Sequence, residues 1–86
     1  MYVILTYDVK VKRNPKVLKL CRKYLTHVQK SVFEGFISER QLGALEKRLH
    51  VLINCEEDQI AIYRCTNLEC IKKELIGYHM TQDNIL

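Results

Sequence analysis

The stretch of residues 2–7 constrains the fold of this chain more than any other part of the sequence. It reads Tyr-Val-Ile-Leu-Thr-Tyr, a nearly unbroken run of β-branched, aliphatic and aromatic residues. Strands that are covered on both faces carry such continuous runs, whereas strands with one exposed face alternate apolar and polar residues. The run therefore predicts a strand at the centre of a sheet, covered on both faces.

Two amphipathic helices are predicted after this strand. Asn14 followed by Pro15 marks a helix start, because asparagine caps helices and proline suits the first turn. The apolar residues that follow at helical spacing are Val17, Leu18, Cys21, Tyr24 and Leu25. Ser38 and Gln41 have the spacing of a capping box, which predicts the start of a second helix. The leucine stripe of that helix consists of Leu42, Leu45, Leu49 and Leu52.

The remaining segments predict strands and turns. Residues 28–37 form extended chain, as one kinked strand or two short ones, with Gly35 at a bulge or bend. An acidic turn at residues 54–58 precedes a strand at residues 59–65, and residues 75–78 are a short terminal strand. This order predicts a single α+β domain over residues 1–86, a ferredoxin-like sandwich with two helices on one face of an antiparallel sheet. A chain this short buries a smaller fraction of its unfolded surface than a larger domain does, so a homodimer is also expected as a further source of stability.

Charge is distributed unevenly along the chain. The first 33 residues carry eight cations and one acid, a net charge of +7, and the remaining residues carry six cations and nine acids, a net charge of −3. Lys12, Lys16, Lys19 and Lys23 recur at helical spacing opposite the apolar residues and so form a basic ridge. Such a ridge could bind a phosphate backbone through counterion release, or it could be a solvated helix face.

Cysteines, histidines and nucleotide motifs exclude several classes of protein. The four cysteines form no Cys-x-x-Cys pair and the three histidines have no metal-ligand spacing, so a zinc site is not expected and the thiols are predicted to be buried or partly buried. No Gly-x-Gly-x-x-Gly motif or Walker loop is present. The apolar runs are too short to span a bilayer or to serve as a signal-peptide core, and a cytoplasmic location is expected.

Asp8 is the one acid among the first 33 residues and stands at the end of the predicted first strand. It is either a turn-forming or capping aspartate or a ligand of Mg²⁺, which takes carboxylate oxygens together with water and substrate phosphate. One carboxylate is a sparse site. A twofold dimer that brought the same strand end together from both subunits would make a facing pair. Such a pair, with cations around it, would suit metal-assisted phosphodiester hydrolysis.

Polar residues interrupt the extended segment that follows the first helix. Gln29 and Ser31 would project from the same face of an extended chain, where they either form strand-edge hydrogen bonds or meet a partner. They belong to the octet Val-Gln-Lys-Ser-Val-Phe-Glu-Gly at residues 28–35. Together with Tyr-Asp-Val at residues 7–9, the Lys-Arg pair at residues 12–13 and the Tyr-Leu helix end at residues 24–25, this octet resembles the CRISPR-associated protein two family. The resemblance is in register over residues 1–53.

The resemblance implies a dimeric ferredoxin-like domain whose C-terminal strand completes the partner's sheet. It also implies a Mg²⁺-dependent endonuclease of spacer acquisition that acts on RNA or DNA, with Asp8 as the catalytic residue and metal ligand. The expected phosphate contacts are Lys12, Arg13, Lys16, Lys19, Lys23 and Lys30. The expected supporting residues are Tyr7, Gln29, Ser31 and Phe33. The expected partners are a second copy, the larger CRISPR integrase, duplex DNA and single-stranded RNA.

Two positions depart from the family pattern, and three functions remain open. Leu25 stands where many members have glycine, and His27 stands where an arginine often precedes the Val-Gln pair. Because histidine is mostly neutral near pH 7, a phosphate contact there would be weak or pH-dependent. The chain is a nuclease, or a non-catalytic adaptor that grips duplex DNA and bridges integrase dimers, or an interaction domain without a nucleic-acid role.

Overall fold

The computed structural model describes residues 1–65. These residues form a four-stranded antiparallel sheet in the order β2-β3-β1-β4, with two helices. The elements are β1 (Tyr2–Asp8), a 3-10 turn (Val11–Arg13), α1 (Asn14–Arg22), β2 (Thr26–Gln29), β3 (Val32–Phe36), α2 (Glu39–Leu52) and β4 (Gln59–Cys65). The predicted α+β class and ferredoxin-like arrangement are confirmed. The predicted terminal strand at residues 75–78 lies outside the described residues.

β1 is a central strand, as predicted, but only one of its faces is covered by residues 1–65. Val3, Leu5 and Tyr7 point to the helix side and are buried, whereas the residues between them are half-exposed. The continuous apolar run therefore serves two surfaces of different kinds. One is the core, and the other is a face of the sheet that is open in the described chain.

The core lies between the sheet and the two helices. Its fully buried side chains are Phe33, Leu5, Leu42, Leu45, Val3, Val17 and Cys21. The capping box at the start of α2 is confirmed, because the Ser38 hydroxyl accepts the Gln41 N–H at 3.1 Å and the Ser38 N–H donates to the Gln41 side chain at 3.3 Å. It fixes the rotation at which the leucine stripe of α2 enters the core.

The start of α1 differs from the prediction. Asn14 lies inside the helix and does not cap it, and the chain enters α1 through the 3-10 turn instead. In that turn the Arg13 and Asn14 N–H groups donate to the Lys10 carbonyl at 2.9 and 3.2 Å. The side-chain oxygen of Asn14 accepts a hydrogen bond from the Tyr7 hydroxyl at 3.3 Å. A tertiary contact therefore uses the group that sequence spacing assigned to capping.

The extended segment at residues 28–37 is divided into β2 and β3 by a turn at Lys30 and Ser31. Lys30 has a positive φ of 33°, which a non-glycine residue seldom adopts outside tight turns. The bulge lies in β2 between His27 and Gln29, and Gly35 pairs in register with Val3, so the bulge predicted at Gly35 is wrong. The turn also separates Gln29 from Ser31, which do not share one face of a single strand as predicted.

Candidate active site

Asp8 ends β1 and is exposed. Because side chains alternate along a strand, it lies on the face of Ile4 and Thr6, away from the helices. Its neighbour in β4 is Gln59. The strand geometry therefore presents this carboxylate to solvent at one end of the face that the helices leave open.

The open face is defined here as the sheet surface on the side away from the helices. Its central residues are Tyr2, Ile4, Thr6, Val32, Glu34, Phe36, Ala61 and Tyr63, of which Glu34 carries a charge. Phe36 and Tyr63 are 66% and 60% exposed, and the Tyr2 and Phe36 rings meet edge to face with centroids 4.9 Å apart. Burial, with the adjacent Glu34 carboxylate as a further cause, raises the pKa of Tyr2 to about 12. The open face is thus largely apolar, with Asp8 at its end.

Three connecting segments lie at the same end of the sheet as Asp8. The linker from β1 to α1 follows Asp8 directly, and the turn before β4 is adjacent because Gln59 pairs with Asp8. The turn between β2 and β3 is joined to β1 by a hydrogen bond from the Tyr7 N–H to the Ser31 carbonyl at 3.1 Å. Two predicted phosphate contacts, Lys12 and Lys30, lie on these segments and are exposed.

The remaining lysines of the basic ridge lie along the first helix. Lys16 and Lys19 are on α1 and Lys23 is its C-terminal cap residue, and all three are exposed. The opposite side of α1 supplies Val17, Leu20 and Cys21 to the core. The ridge therefore begins near the Asp8 end of the molecule and runs away from it, which makes it a surface distinct from the strand end.

Arg13, which was also predicted to contact phosphate, is held by two acids of the turn before β4. Its Nε and Nη2 atoms donate to Asp58 at 2.5 and 3.1 Å, and Nη2 donates to Glu57 at 2.8 Å. The Asp58 carboxylate also accepts the Lys10 N–H and the Asn54 N–H, both at 2.9 Å. The Asp58 side chain has no exposed surface, and that of Arg13 is 16% exposed. We call this arrangement the Asp58–Arg13 clamp.

The clamp perturbs the titration of its members. Hydrogen bonds from Arg13, and next from the Asn54 and Lys10 backbone N–H groups, hold the pKa of Asp58 well below its usual range. The Arg13 hydrogen bond is also the main cause that lowers the pKa of Glu57. Hydrogen bonds to both carboxylates, that to Asp58 first, raise the pKa of Arg13. The composition of residues 54–58 predicts only an acidic turn. The available signal was an aspartate directly before the strand that pairs with β1.

Two of the predicted supporting residues, Tyr7 and Phe33, form an aromatic group with His27 next to the end of β1. Phe33 is fully buried, and the Tyr7 ring stacks with it at a centroid distance of 6.1 Å. The His27 ring stacks on Phe33 at 4.6 Å, and its Nε2 atom hydrogen-bonds to the Lys30 carbonyl at 2.5 Å. Tyr7 and His27 also line a surface cleft of about 460 Å³ together with Asn14, Leu18, Lys30 and Ser31. Gln29 is exposed at the end of β2.

Residues 1–65 contain no group of three His, Cys, Asp or Glu side chains that are close enough together to hold a metal ion. A single carboxylate such as that of Asp8 is compatible with Mg²⁺, because this ion is commonly held by one or two carboxylates, with water and substrate phosphate as the other ligands.

Burial raises the pKa of the Cys21 thiol to about 12. Cys65 is half-buried. Cys55 is exposed because it lies in the turn after α2, so the prediction of a buried or partly buried thiol is wrong at this position. Cys70 is outside the described residues.

Neither helix between residues 1 and 65 has the length and apolar character needed to cross a bilayer.

Known proteins resemble this chain over nearly its whole length. A family model described as CRISPR associated protein Cas2 matches residues 1–74. The "CRISPR-associated endoribonuclease Cas2" of Frankia alni is 40% identical over 87 residues, covering all of both chains. The protein of the same name from Thermotoga maritima is 37% identical, covering 100% of this chain and 99% of that one.

Solved structures agree with this similarity. A structure described as "Crystal structure of cas2" is 40% identical, superposes with a TM-score of 0.82, and is matched over 94% of this chain and 91% of its own. The Streptococcus pyogenes Cas2 structure at pH 6.5 is 33% identical with a TM-score of 0.78, and is matched over 90% of this chain and 100% of its own.

Proposed function

The chain belongs to the CRISPR-associated Cas2 family, and from this premise we propose that it is a Mg²⁺-dependent endonuclease that hydrolyses phosphodiester bonds of single-stranded RNA during spacer acquisition. The observation that carries the proposal is the placement of Asp8, an exposed carboxylate at the end of the central strand. Exposed lysines stand on two of the segments at that end of the sheet. The names of the relatives, which are endoribonucleases, support RNA as the substrate.

The active unit in this proposal is a homodimer joined through the open face. Phe36 and Tyr63 are large apolar side chains with most of their surface exposed, and an isologous interface would bury them against the same surface of a second copy. Asp8 is at the edge of that surface. A twofold axis near the end of β1 would bring the two Asp8 carboxylates together and supply a second carboxylate ligand beside the one that residues 1–65 of a single chain present.

Each residue has a defined task in this site. The two Asp8 carboxylates hold the Mg²⁺ ion, and the chemistry that the ion supplies when bound is Lewis-acid stabilisation of phosphate charge. Lys12 and Lys30 bind phosphate oxygens and offset the negative charge that grows in the transition state. Phe33 and Tyr7 are packed in the core side of the same strand end and keep its backbone rigid.

The test is Asp8→Asn, which keeps the shape of the side chain and removes its charge. We expect Mg²⁺-dependent cleavage of a single-stranded RNA to fall by about 100-fold or more, because a lost metal ligand removes several kcal/mol of transition-state stabilisation. Glu56→Gln makes the same charge change at another exposed acid and should leave cleavage unchanged. Cleavage that survives Asp8→Asn in a purified sample of unchanged oligomeric state would refute the assignment.

A second candidate function is that of an adaptor that grips duplex DNA and bridges dimers of the larger CRISPR integrase. It is favoured by the basic ridge, which runs along α1 away from Asp8. An adaptor should support spacer acquisition in cells with Asp8→Asn, and should fail when Lys16, Lys19 and Lys23 are all changed to glutamate. Acquisition that tolerates the charge reversal would exclude the ridge from this role.

A further inference from the structure

We propose that Asp58 is a positioning residue of the nuclease, which acts with Arg13 to hold the linker between β1 and α1 so that Lys12 remains at the Asp8 end of the sheet. The inference rests on the proposed function and adds to it a residue that touches neither substrate nor metal. It also gives Arg13 a task other than binding phosphate.

The linker has little apolar packing of its own to hold it. Val9 packs against the edge of the core, but the 3-10 turn that follows has no buried residue, and Val11 is 87% exposed. A short segment of this kind is mobile unless hydrogen bonds restrain it, since few buried apolar contacts oppose its opening. The position of Lys12 in that turn therefore depends on polar contacts.

Asp58 supplies those contacts from the neighbouring turn. One carboxylate oxygen accepts the Lys10 N–H and Arg13 Nη2, and the other accepts Arg13 Nε and the Asn54 N–H. Four donors thus use the acceptor positions of an ionised carboxylate. Because Lys10 and Arg13 flank Lys12 in the linker while Asn54 belongs to the turn before β4, the single carboxylate of Asp58 joins the two segments.

The clamp is anchored next to Asp8 by the sheet. Asp58 directly precedes Gln59, which pairs with Asp8 in the β1–β4 ladder. Lys10 contacts Asp58 through its backbone N–H, and Lys12 lies in the linker between Lys10 and Arg13, both of which bind Asp58. Arg13 is thus engaged by two protein carboxylates, while Lys12 is exposed. The lysine is free to meet phosphate at a position that Asp58 determines.

The decisive variants are Asp58→Asn and Glu57→Gln, which make the same charge change on adjacent residues. Asparagine at position 58 would present an NH₂ group to donors that now bind an oxygen, whereas Glu57→Gln removes only the outer partner of Arg13. We expect Asp58→Asn to lower cleavage of single-stranded RNA by about tenfold or more, as misplaced catalytic groups do, and Glu57→Gln to stay within about twofold of the wild type. Equal effects of the two variants would overturn the proposal.

A double-mutant cycle with Lys12→Gln separates positioning from general destabilisation. If Asp58 acts through Lys12, Lys12→Gln lowers cleavage in the wild type but changes it by less than about twofold when Asp58→Asn is already present. Independent, multiplicative losses would mean that Asp58 only stabilises the fold, and would overturn the proposal. Rates are referred to the folded fraction measured by urea unfolding. If Asp58→Asn does not fold, Arg13→Gln replaces it in the cycle, and the expected outcomes are the same. This variant keeps the hydrogen bonds from the Lys10 and Asn54 backbone N–H groups to Asp58.

Amide hydrogen exchange distinguishes failure of the clamp from failure of the nuclease. The Lys10 N–H should exchange slowly in the wild type and faster in Asp58→Asn, and unchanged exchange would refute the clamp whatever the activity. Cleavage that does not depend on Asp8 would refute the proposed function and the positioning role together. That result comes from the Asp8→Asn variant alone and is therefore recognised separately.

Discussion

Neutralising the basic ridge should flatten the salt dependence of DNA binding. The variant changes Lys16, Lys19 and Lys23 to glutamine, three exposed positions on the side of α1 that is opposite the core. Each phosphate neutralised on duplex DNA contributes a slope of about −0.9 to a plot of log K against log salt concentration. If each lysine meets one phosphate, the three together contribute about −2.7 to the slope.

This difference is large enough to measure by fluorescence anisotropy with a labelled duplex. Between 50 and 200 mM salt, a slope of −2.7 corresponds to a change of about 40-fold in affinity. The wild type should therefore lose about 40-fold more affinity than the triple variant over that range. With single-stranded RNA, where each contact contributes about −0.7, the corresponding factor is about 20.

A matched variant on the second helix tests whether location matters. Arg40, Lys47 and Arg48 are exposed cations of α2, and their change to glutamine alters net charge by the same amount. The slope should then stay close to that of the wild type. If both triple variants reduce the slope equally, total charge governs binding and the ridge is not a site. A slope that the α1 variant leaves unchanged would refute the reasoning outright.

Three further predictions concern stability and assembly. Ser38→Ala removes an acceptor of the capping box and should lower the free energy of unfolding by about 1 kcal/mol, measured by urea denaturation; Ser31→Ala, in a turn, is its control. Tyr63→Glu places a charge on the open face and should convert the dimer to monomer in sedimentation, and a persistent dimer would exclude that face as the interface. The folded-state pKa values of Glu57 and Asp58 are lowered, so the stability they contribute is complete above their unfolded values near pH 4 and is lost as pH falls below them. Asp58→Asn should therefore make acid unfolding less steep over that range, and an unchanged pH profile would contradict the ion pair.

Features fixed by neighbouring residues could be predicted from the sequence. The Ser38 capping box, the leucine stripe of α2 and the strand at residues 59–65 depend on local sequence, and the structure confirms each. The strand at residues 2–7 lies at the centre of the sheet, as its continuous apolar run predicts, although only one of its faces is covered within residues 1–65.

The predictions that failed depended on contacts between distant segments. Asn14 has the sequence context of a helix cap, but its side chain is used by Tyr7, and that partner is known only once β1 is packed against α1. The clamp is similar, since 45 residues separate Arg13 from Asp58. The turn at Lys30 and Ser31 selects the second of the two alternatives for residues 28–37, two short strands, and serine is a common turn residue, whereas nothing in the sequence marks Lys30 for its positive φ. The count of cations identifies the basic half of the chain, but it does not show that Arg13 in that half is paired with Glu57 and Asp58 of the other half.

Because side chains in β1 alternate between the two faces of the sheet, the number of residues in the strand determines which face Asp8 occupies. The odd-numbered residues Val3, Leu5 and Tyr7 face the helices, and Asp8 faces the other way. Deleting one residue within this strand would carry the carboxylate to the interior and turn apolar side chains outward. Folding and cleavage would then be lost in the same event, so natural variation in this segment should be confined to substitutions, with insertions and deletions excluded.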